Sequence, residues 1–385
     1  MRHLTHSSSA GRARVLLLSL LYVASISSSP PPCSLNGVIN AQGVCTCWGS
    51  WSGEVCDLLQ TLPSLPPPQA GYGQSPLVSS WGGNIVYADN LYHLFVAEME
   101  NNCTLNEWET NSACIHAISD SPLGPFTKIG VAVPVWCHNP QILTLPNNTG
   151  YALFHIGTGV TDPSKIPTCH RNNASAADII DSSITTSSSS ASGSALHFAT
   201  SLYGPWTPIT APSNCNNPAP MIHPNGTYYV LCGSNTLFSA ATITGPWNKV
   251  TVMDDHANGP KGGYEDGFIW IDTHHNWHVL YHVWSMFLPA YDCSNTTVSA
   301  HGFSLNGIDW FTSNNQPYTS IVHFTDGTTQ VTPTRERPKL LFSASGEPTH
   351  LINGAVSGLT SCMPHWCSRC KEIANYTYTL IAPLM

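Results

Sequence analysis

The sequence predicts an all-β protein, a five-bladed β-propeller with a small disulfide-rich module in front of it. Three observations carry the prediction. Short apolar runs recur in pairs joined by turn residues, five times over between residue 75 and residue 360. Gly-Pro-aromatic triplets punctuate the same stretch at Gly124-Pro125-Phe126, Gly204-Pro205-Trp206 and Gly245-Pro246-Trp247, with a looser relative at Gly307 to Trp310. Composition does the rest. Thirty Pro and 29 Gly in 385 residues break the chain too often for long helices. Only 9% of residues are charged, too few for the exposed faces of a helical bundle, while 42% are hydrophobic, enough for a large core.

Each pair reads as a hairpin whose second strand opens near an aromatic. Asn84 to Ala88 turns at Asp89-Asn90 into Tyr92 to Val96. Pro140 to Leu145 turns at Asn147 to Gly150 into Tyr151 to His155. Pro218 to His223 turns at Asn225-Gly226 into Tyr228 to Cys232. Phe268 to Asp272 passes His275-Asn276 into Trp277 to Tyr281. Pro338 to Phe342 turns at Ser345-Gly346 into Thr349 to Ile352. Five self-similar hairpins suit radial packing of small sheets better than the Greek key of a sandwich. The propeller is expected over residues 75–385, and the strand after Cys362 is expected either to return to the first blade or to wrap outside.

The N-terminal segment, residues 1–29, has the form of a secretory signal: Arg2, Arg12 and Arg14, then an apolar run from Val15 to Ile26, then small residues. The run is shorter than the roughly 20 residues of a membrane span. A secreted, extracellular protein is therefore expected, with no membrane span in the mature chain. Fourteen Cys agree with an oxidising compartment. So do six N-glycosylation sequons, at Asn102, Asn147, Asn173, Asn225, Asn295 and Asn375. The net charge of −9 offers no basic surface to phosphates, so nucleic acid is not an expected partner. An aromatic, largely uncharged surface suits sugars.

Residues 30–58 hold four closely spaced Cys. Cys45-Thr-Cys47, Trp51, Gly53 and Cys56 resemble the C-terminal half of an EGF-like module. Such a module has six Cys. The resemblance implies that its first and third are missing here as one whole pair, leaving Cys33–Cys45 and Cys47–Cys56. It also implies a protein contact through this module. Residues 59–74 are Pro-rich and read as a semi-rigid linker. Ser182 to Ser194 reads as a biased surface loop. Short loops predict Cys103–Cys114 and Cys215–Cys232, with Cys137–Cys169 as a further pair; Cys293, Cys362, Cys367 and Cys370 leave three pairings open.

The blade starts read Gly82-Gly83-Asn84, His138-Asn139-Pro140, Asn217-Pro218, Glu265-Asp266-Gly267 and Glu336-Arg337-Pro338. They resemble the five-bladed propellers of glycoside hydrolase family 43, whose blade starts carry Asp-Pro or Glu-Gly-Pro and line a central carbohydrate pocket. The resemblance implies that Glu265 takes the general-acid position, that the base position falls on Gly82, and that the orienting carboxylate falls on Asn217. Glycosidic cleavage needs one carboxyl to protonate the leaving oxygen and another to activate water or attack. With Gly82 unable to serve, Asp266 and Glu336 are the candidate partners of Glu265. Glu98, His138, Asn139, Asn217 and Trp270 are candidate sugar contacts.

The first expected function is therefore acid/base hydrolysis of a glycan. A glycan-binding or adhesion protein that has lost the base is the alternative, and a structural matrix protein is a third. His274, His278 and His282 share a face, but i,i+4 spacing on a strand separates side chains by roughly 13 Å, too far for one ion. No cofactor is expected beyond an axial cation without assigned ligands. Gly259 to Gly263 lacks the P-loop pattern, and no Gly-x-Ser-x-Gly occurs.

Overall fold

The computed structural model describes residues 29–73, 78–169, 193–233, 235–253, 264–283, 298–332, 335–356 and 377–385. Within them the chain forms five antiparallel blades in sequence order. Blade 1 is Ser79–Ala88, Leu91–Met99, Ser112–Ser119 and Thr127–Val133. Blade 2 is His138–Thr144, Tyr151–Ile156, Ser194–Ala199 and Thr207–Ile209. Blade 3 is Ala219–Ile222, Tyr228–Leu231, Thr236–Ala240 and Asn248–Val252. Blade 4 is Tyr264–Ile271, Trp277–Val283, Ser299–Ser304 and Phe311–Thr312. Blade 5 is Arg335–Phe342, Pro348–Val356 and Thr377–Pro383. The first two strands of each blade are the hairpins read from the sequence.

The core lies between blades. Leu94, Val96 and Ile115 of blade 1 pack against Leu341, Ile352 and Ile381 of blade 5. Phe95 of blade 1 meets Ile142 and Leu153 of blade 2. Leu231 and Leu237 of blade 3 meet Ile269 and Val279 of blade 4. Each such side chain contributes roughly 1.5–3 kcal/mol by leaving water, and because the clusters bridge sheets, that energy holds the ring together. The Gly-Pro-aromatic triplets form the turns between third and fourth strands in blades 1 to 3, and Gly307 to Trp310 does so in blade 4. Their aromatics reach the preceding blade: Trp206 lies edge-on to Phe95 at 5.5 Å, and Trp247 edge-on to Phe154 at 6.4 Å.

Cys33–Cys45 and Cys47–Cys56 are formed and close a module of two small hairpins, Gly37–Ile39 with Cys45–Cys47 and Trp51–Ser52 with Leu58–Leu59. The module is fastened to blades 4 and 5. Trp48 stacks on His274 at 3.6 Å, Ser50 Oγ donates to Pro348 O and Met385 O, and Asn315 Nδ2 donates to the Asp57 carboxylate. The Pro-rich segment after it is a strap. Leu62 N donates to Pro383 O and Met385 N to Gln60 O, while Tyr72 and Thr379 exchange both backbone bonds. It thereby covers the outer edge of Thr377–Pro383, the third strand of blade 5 among the described residues. That strand pairs with Pro348–Val356 inside blade 5 and lies against the first strand of blade 1, where Thr379 Oγ1 donates to Gly82 O at 2.7 Å.

Cys215–Cys232 is formed as expected, but the other short-loop pairings are corrected. Cys103 bonds Cys169, and Cys114 bonds Cys137. The short helical turn Trp108–Asn111 separates Cys103 from the strand that carries Cys114. Asn101 and Asn111 both donate to Pro167 O, which brings the Cys169 segment to Cys103. Cys114 lies inside the blade-1 sheet, and Cys137 is anchored beside it through its N–H to Ser112 O. The sequons at Asn102, Asn147 and Asn225 are exposed. Those at Asn173, Asn295 and Asn375, the signal segment up to residue 28, most of the Ser/Thr-rich stretch, and Cys293, Cys362, Cys367 and Cys370 lie outside the described residues.

Candidate functional site at the propeller axis

The first strands of blades 1, 2, 4 and 5 share one irregularity. Two residues stand against one on the neighbouring strand, at Gly82-Gly83, Asn139-Pro140, Asp266-Gly267 and Arg337-Pro338. This is a β-bulge, which bends the strand and re-aims its side chain. The leading residue is left-handed each time, with φ of 68° at Gly82, 50° at Asn139, 54° at Asp266 and 55° at Arg337; Asn217, just before the first strand of blade 3, has 47°. The bulge frame thus aligns Gly82, Asn139, Asn217, Asp266 and Arg337 as one slot per blade. Glu265 and Glu336 precede the slots of blades 4 and 5.

The slots meet in one network. Arg337 Nη1 donates to Asp266 Oδ1 at 2.5 Å and to Asn217 Oδ1 at 3.0 Å. Asn139 Nδ2 reaches Asn217 Oδ1 at 3.3 Å and Asp266 Oδ1 at 3.4 Å. Asn217 Nδ2 donates to Glu265 Oε1 at 2.8 Å. His282, on the second strand of blade 4, sets one ring nitrogen 3.3 Å from Asp266 Oδ2 and the other 3.4 Å from Glu336 Oε1. Gly82 is the empty slot. A Cβ there would lie 3.2 Å from Arg337 Cβ, so the Arg337 stem packs tightly against the place of a blade-1 side chain.

Charge is partitioned sharply. Burial works to raise the Asp266 pKa, but the Arg337 guanidinium, with His282 and Lys339, outweighs it and holds Asp266 at about 2. Glu265 goes the other way: burial, then the neighbouring Asp266 charge, push it to about 7. Burial also raises Glu336, against the pull of His282 and Arg337. Burial would lower His282, yet Glu336 and Asp266 raise it overall, favouring the imidazolium. Lys339, completely buried behind the slots, is lowered to about 7 by burial. Asp266 is 1% exposed, whereas Glu265 and Glu336 remain partly accessible. Glu265, Asp266 and His282 bring ligand atoms within 4.8 Å of one another. With a guanidinium already on Asp266, that set does not fit a divalent cation.

Of the residues expected from sequence, Glu265, Asp266, Glu336, Asn139 and Asn217 are brought together. His138 is one residue from the network, feels the Arg337 charge, and is bonded through Nδ1 to Ser112 Oγ at 2.7 Å; burial holds it neutral. Two placements are corrections. Trp270 is buried with Phe268, Leu340 and Trp51 between blade 4, blade 5 and the module, and stacks on His278 at 5.1 Å. Glu98 is bound by the Tyr72 hydroxyl and by Lys128 Nζ at 2.8 Å, outside the axial network. Arg337, His282 and Lys339 were not singled out as site residues. Arg337 was findable, since it occupies the same place before Pro as Asn139 and Asn217. The three histidines part company: His274 stacks on Trp48, His278 bonds Asp272 and His301, and only His282 reaches the axis.

No family model matches the chain, and no curated protein matches it. Solved structures do. The catalytic domain of a Coprinopsis cinerea family-62 α-L-arabinofuranosidase aligns with a TM-score of 0.53 at 11% identity, over 84% of this chain and 97% of that one. A thermostable family-43 glycoside hydrolase aligns with 0.50 at 10%, over 84% and 93%. A family-43 β-1,3-galactosidase aligns with 0.48 at 10% over 87% of this chain; the chain spans 60% of that protein's length. The chain shares the five-bladed fold of the first two.

Proposed function

We propose that the protein is a secreted glycan hydrolase working at the propeller axis, with Glu265 as proton donor. The observation that carries the reading is the opposed pair Glu265 and Asp266. One carboxyl is held protonated near neutral pH by burial and by the fixed anion beside it. A general acid needs such a poised proton. Asp266 is not the base: it is buried, saturated by Arg337 and His282, and too weakly basic. Glu336 takes that role. It is partly accessible, one oxygen rests against His282, and the other can accept a proton from the attacking water. Direct displacement by water corresponds to inversion at the anomeric carbon. Asn139 and Asn217 are buried within the network, and the Asn217 amide, donating to Glu265 Oε1, holds the acid in place.

The test is release of reducing ends from pentose and hexose glycans. Turnover should fall as pH rises above about 7, when Glu265 loses its proton. Glu265→Gln should lower kcat by roughly 10²–10⁴ with substrate binding retained. Unchanged turnover in that variant overturns the assignment. One observation favours a second reading, a glycan-binding protein without hydrolysis: the blade-1 slot that would otherwise hold a base is Gly82, and the Arg337 stem packs against it. Binding on a glycan array with no reducing ends released by the wild type selects that reading.

A further inference from the structure

His282 is the buried ring that touches both halves of the axial centre. It lies on the second strand of blade 4, where its cross-strand partner is Glu265. Paired residues share a face of the sheet, so the ring stands beside the acids of the first strand. Its Nδ1 is 3.3 Å from Asp266 Oδ2. Its Nε2 is 3.4 Å from Oε1 of Glu336, which arrives from blade 5. The residue is 4% exposed. One ring thus spans the distance between the acid side, Glu265 with Asp266, and the carboxylate of the next blade.

Two carboxylate contacts fix how many protons the ring holds. A neutral imidazole has one N–H and one bare lone pair. With a carboxylate oxygen against each nitrogen, a neutral ring would turn that lone pair toward an anion. One further proton on the His282–Glu336 pair relieves the clash, either on the ring or on Oε1. Asp266 is not its carrier, because Arg337 Nη1 already donates to the other Asp266 oxygen and holds that carboxyl ionised. The surroundings put the proton on the ring. Among the described residues, the charged groups facing His282 are Asp266 and Glu265 from its own blade and Glu336 from blade 5. All three are acidic, and they raise its pKa against burial. Its neighbour on the third strand, Ser299, is uncharged and donates its hydroxyl to Tyr318 O.

We propose that His282 is a positioning residue of this centre, an imidazolium bridge from Asp266 to Glu336 that keeps Glu336 ionised and holds it opposite Glu265. This role rests on the reading of Glu336 as the base. Burial by itself favours the neutral form of Glu336, which cannot take a proton from water, and the charge on His282 works against that. The same charge lowers Glu265, against burial and Asp266. One ring therefore tunes both the pH at which the base ionises and the pH at which the acid loses its proton. His282 itself transfers nothing: the proton of the attacking water goes to Glu336 Oε2, and the ring keeps both of its own.

The test is the pH profile of kcat/KM in His282→Gln. Loss of the cation raises both carboxyls, so both limbs of the bell should move alkaline, by roughly one pH unit or more for a charge within about 4–6 Å. A residue that only packs would lower the plateau or the unfolding temperature and leave the limbs where they were; that result overturns the proposal. A second readout needs no turnover. In ¹⁵N spectra of the full chain, the His282 ring, identified by its loss in His282→Gln, should keep both protons above the ordinary histidine pKa of about 6.5. Glu336→Gln should move that titration to lower pH. If His282→Gln does not fold, the histidine signal that Glu336→Gln shifts carries the same measurement. A ring that titrates at or below 6.5, or no histidine signal moved by Glu336→Gln, overturns the bridge. A charged ring in a chain that releases no reducing ends upholds the bridge and overturns the hydrolase reading instead.

Discussion

Lowering the pH from 7 to 5 should strip stability from this fold through its buried histidine pairs. In blade 1 His93 bonds His116 at 2.9 Å, in blade 2 His155 bonds His197 at 3.0 Å, and in blade 4 His278 bonds His301 at 3.1 Å. Each pair joins the second strand to the third. His155 is worked through here. It is completely buried, its Nδ1 faces Ile156 O, and burial lowers its pKa to about 3. In the unfolded chain it titrates near 6.5. The folded value is depressed, so the neutral ring supports the fold above pH 6.5, and that support is lost as pH falls toward 3. At pH 5 the unfolded state gains about 2 kcal/mol from this one group. His116 and His301 are lowered by burial too, and act in the same direction. Asp272, 3.3 Å from His278, tempers the blade-4 pair. Since net stabilities run to about 5–15 kcal/mol, the combined loss is a large share. Thermal unfolding should drop by roughly 4 °C at pH 5 for each pair that behaves like His155. His155→Gln should flatten part of that slope. Identical midpoints at pH 7 and pH 5 would refute the reasoning.

Arg337→Met should leave Asp266 buried with His282 alone against it, which destabilises by up to about 3–5 kcal/mol, read as a lower urea midpoint at pH 7; a neutral effect would mean the pair is not closed in solution. Replacing Cys114 and Cys137 together by Ser opens a link spanning 23 residues and should cost about 3 kcal/mol. Non-reducing peptide mapping should recover Cys103 with Cys169 and Cys114 with Cys137. Trp48→Ala removes a ring stacked on His274, a contact worth about 1 kcal/mol; the expected result is faster protease nicking in the strap between residues 57 and 73, with blades 1 to 3 unaffected.

The parts of this protein legible in its sequence are those set by local rules. A turn dipeptide such as Asn225-Gly226 places a hairpin by itself, and Gly-Pro before an aromatic recurs because three blades turn the same corner. The acids at the blade starts were legible as well, since repetition exposes equivalent positions. What escaped depends on contacts between blades. Asp266 meets Arg337 from 71 residues away, and no pattern within either segment announces the other. Cys103 looked close to Cys114 along the chain, but a helical turn sends them to different neighbours. Trp270 was misplaced for a geometric reason: the bulge at Asp266-Gly267 adds a residue, so alternation cannot be carried across it to predict which way Trp270 points.

That bulge has a consequence for how such a centre changes over time. The slot demands a left-handed backbone, which Gly, Asn and Asp accept with little strain and most other side chains do not. Its working vocabulary is therefore nothing, an amide or a carboxylate, and each is a small change in one residue. Because the bulge belongs to the backbone of its own blade, swapping the side chain leaves the strand register untouched. The ring behaves like five sockets that accept interchangeable short plugs. Arg337 is the exception among them. Its long side chain reaches across to the Asp266 socket and leans over the empty one at Gly82, so a single blade now sets the electrical character of three. A side chain placed at Gly82 would meet the Arg337 stem at 3.2 Å, so Arg337 would have to give way and the two positions are coupled.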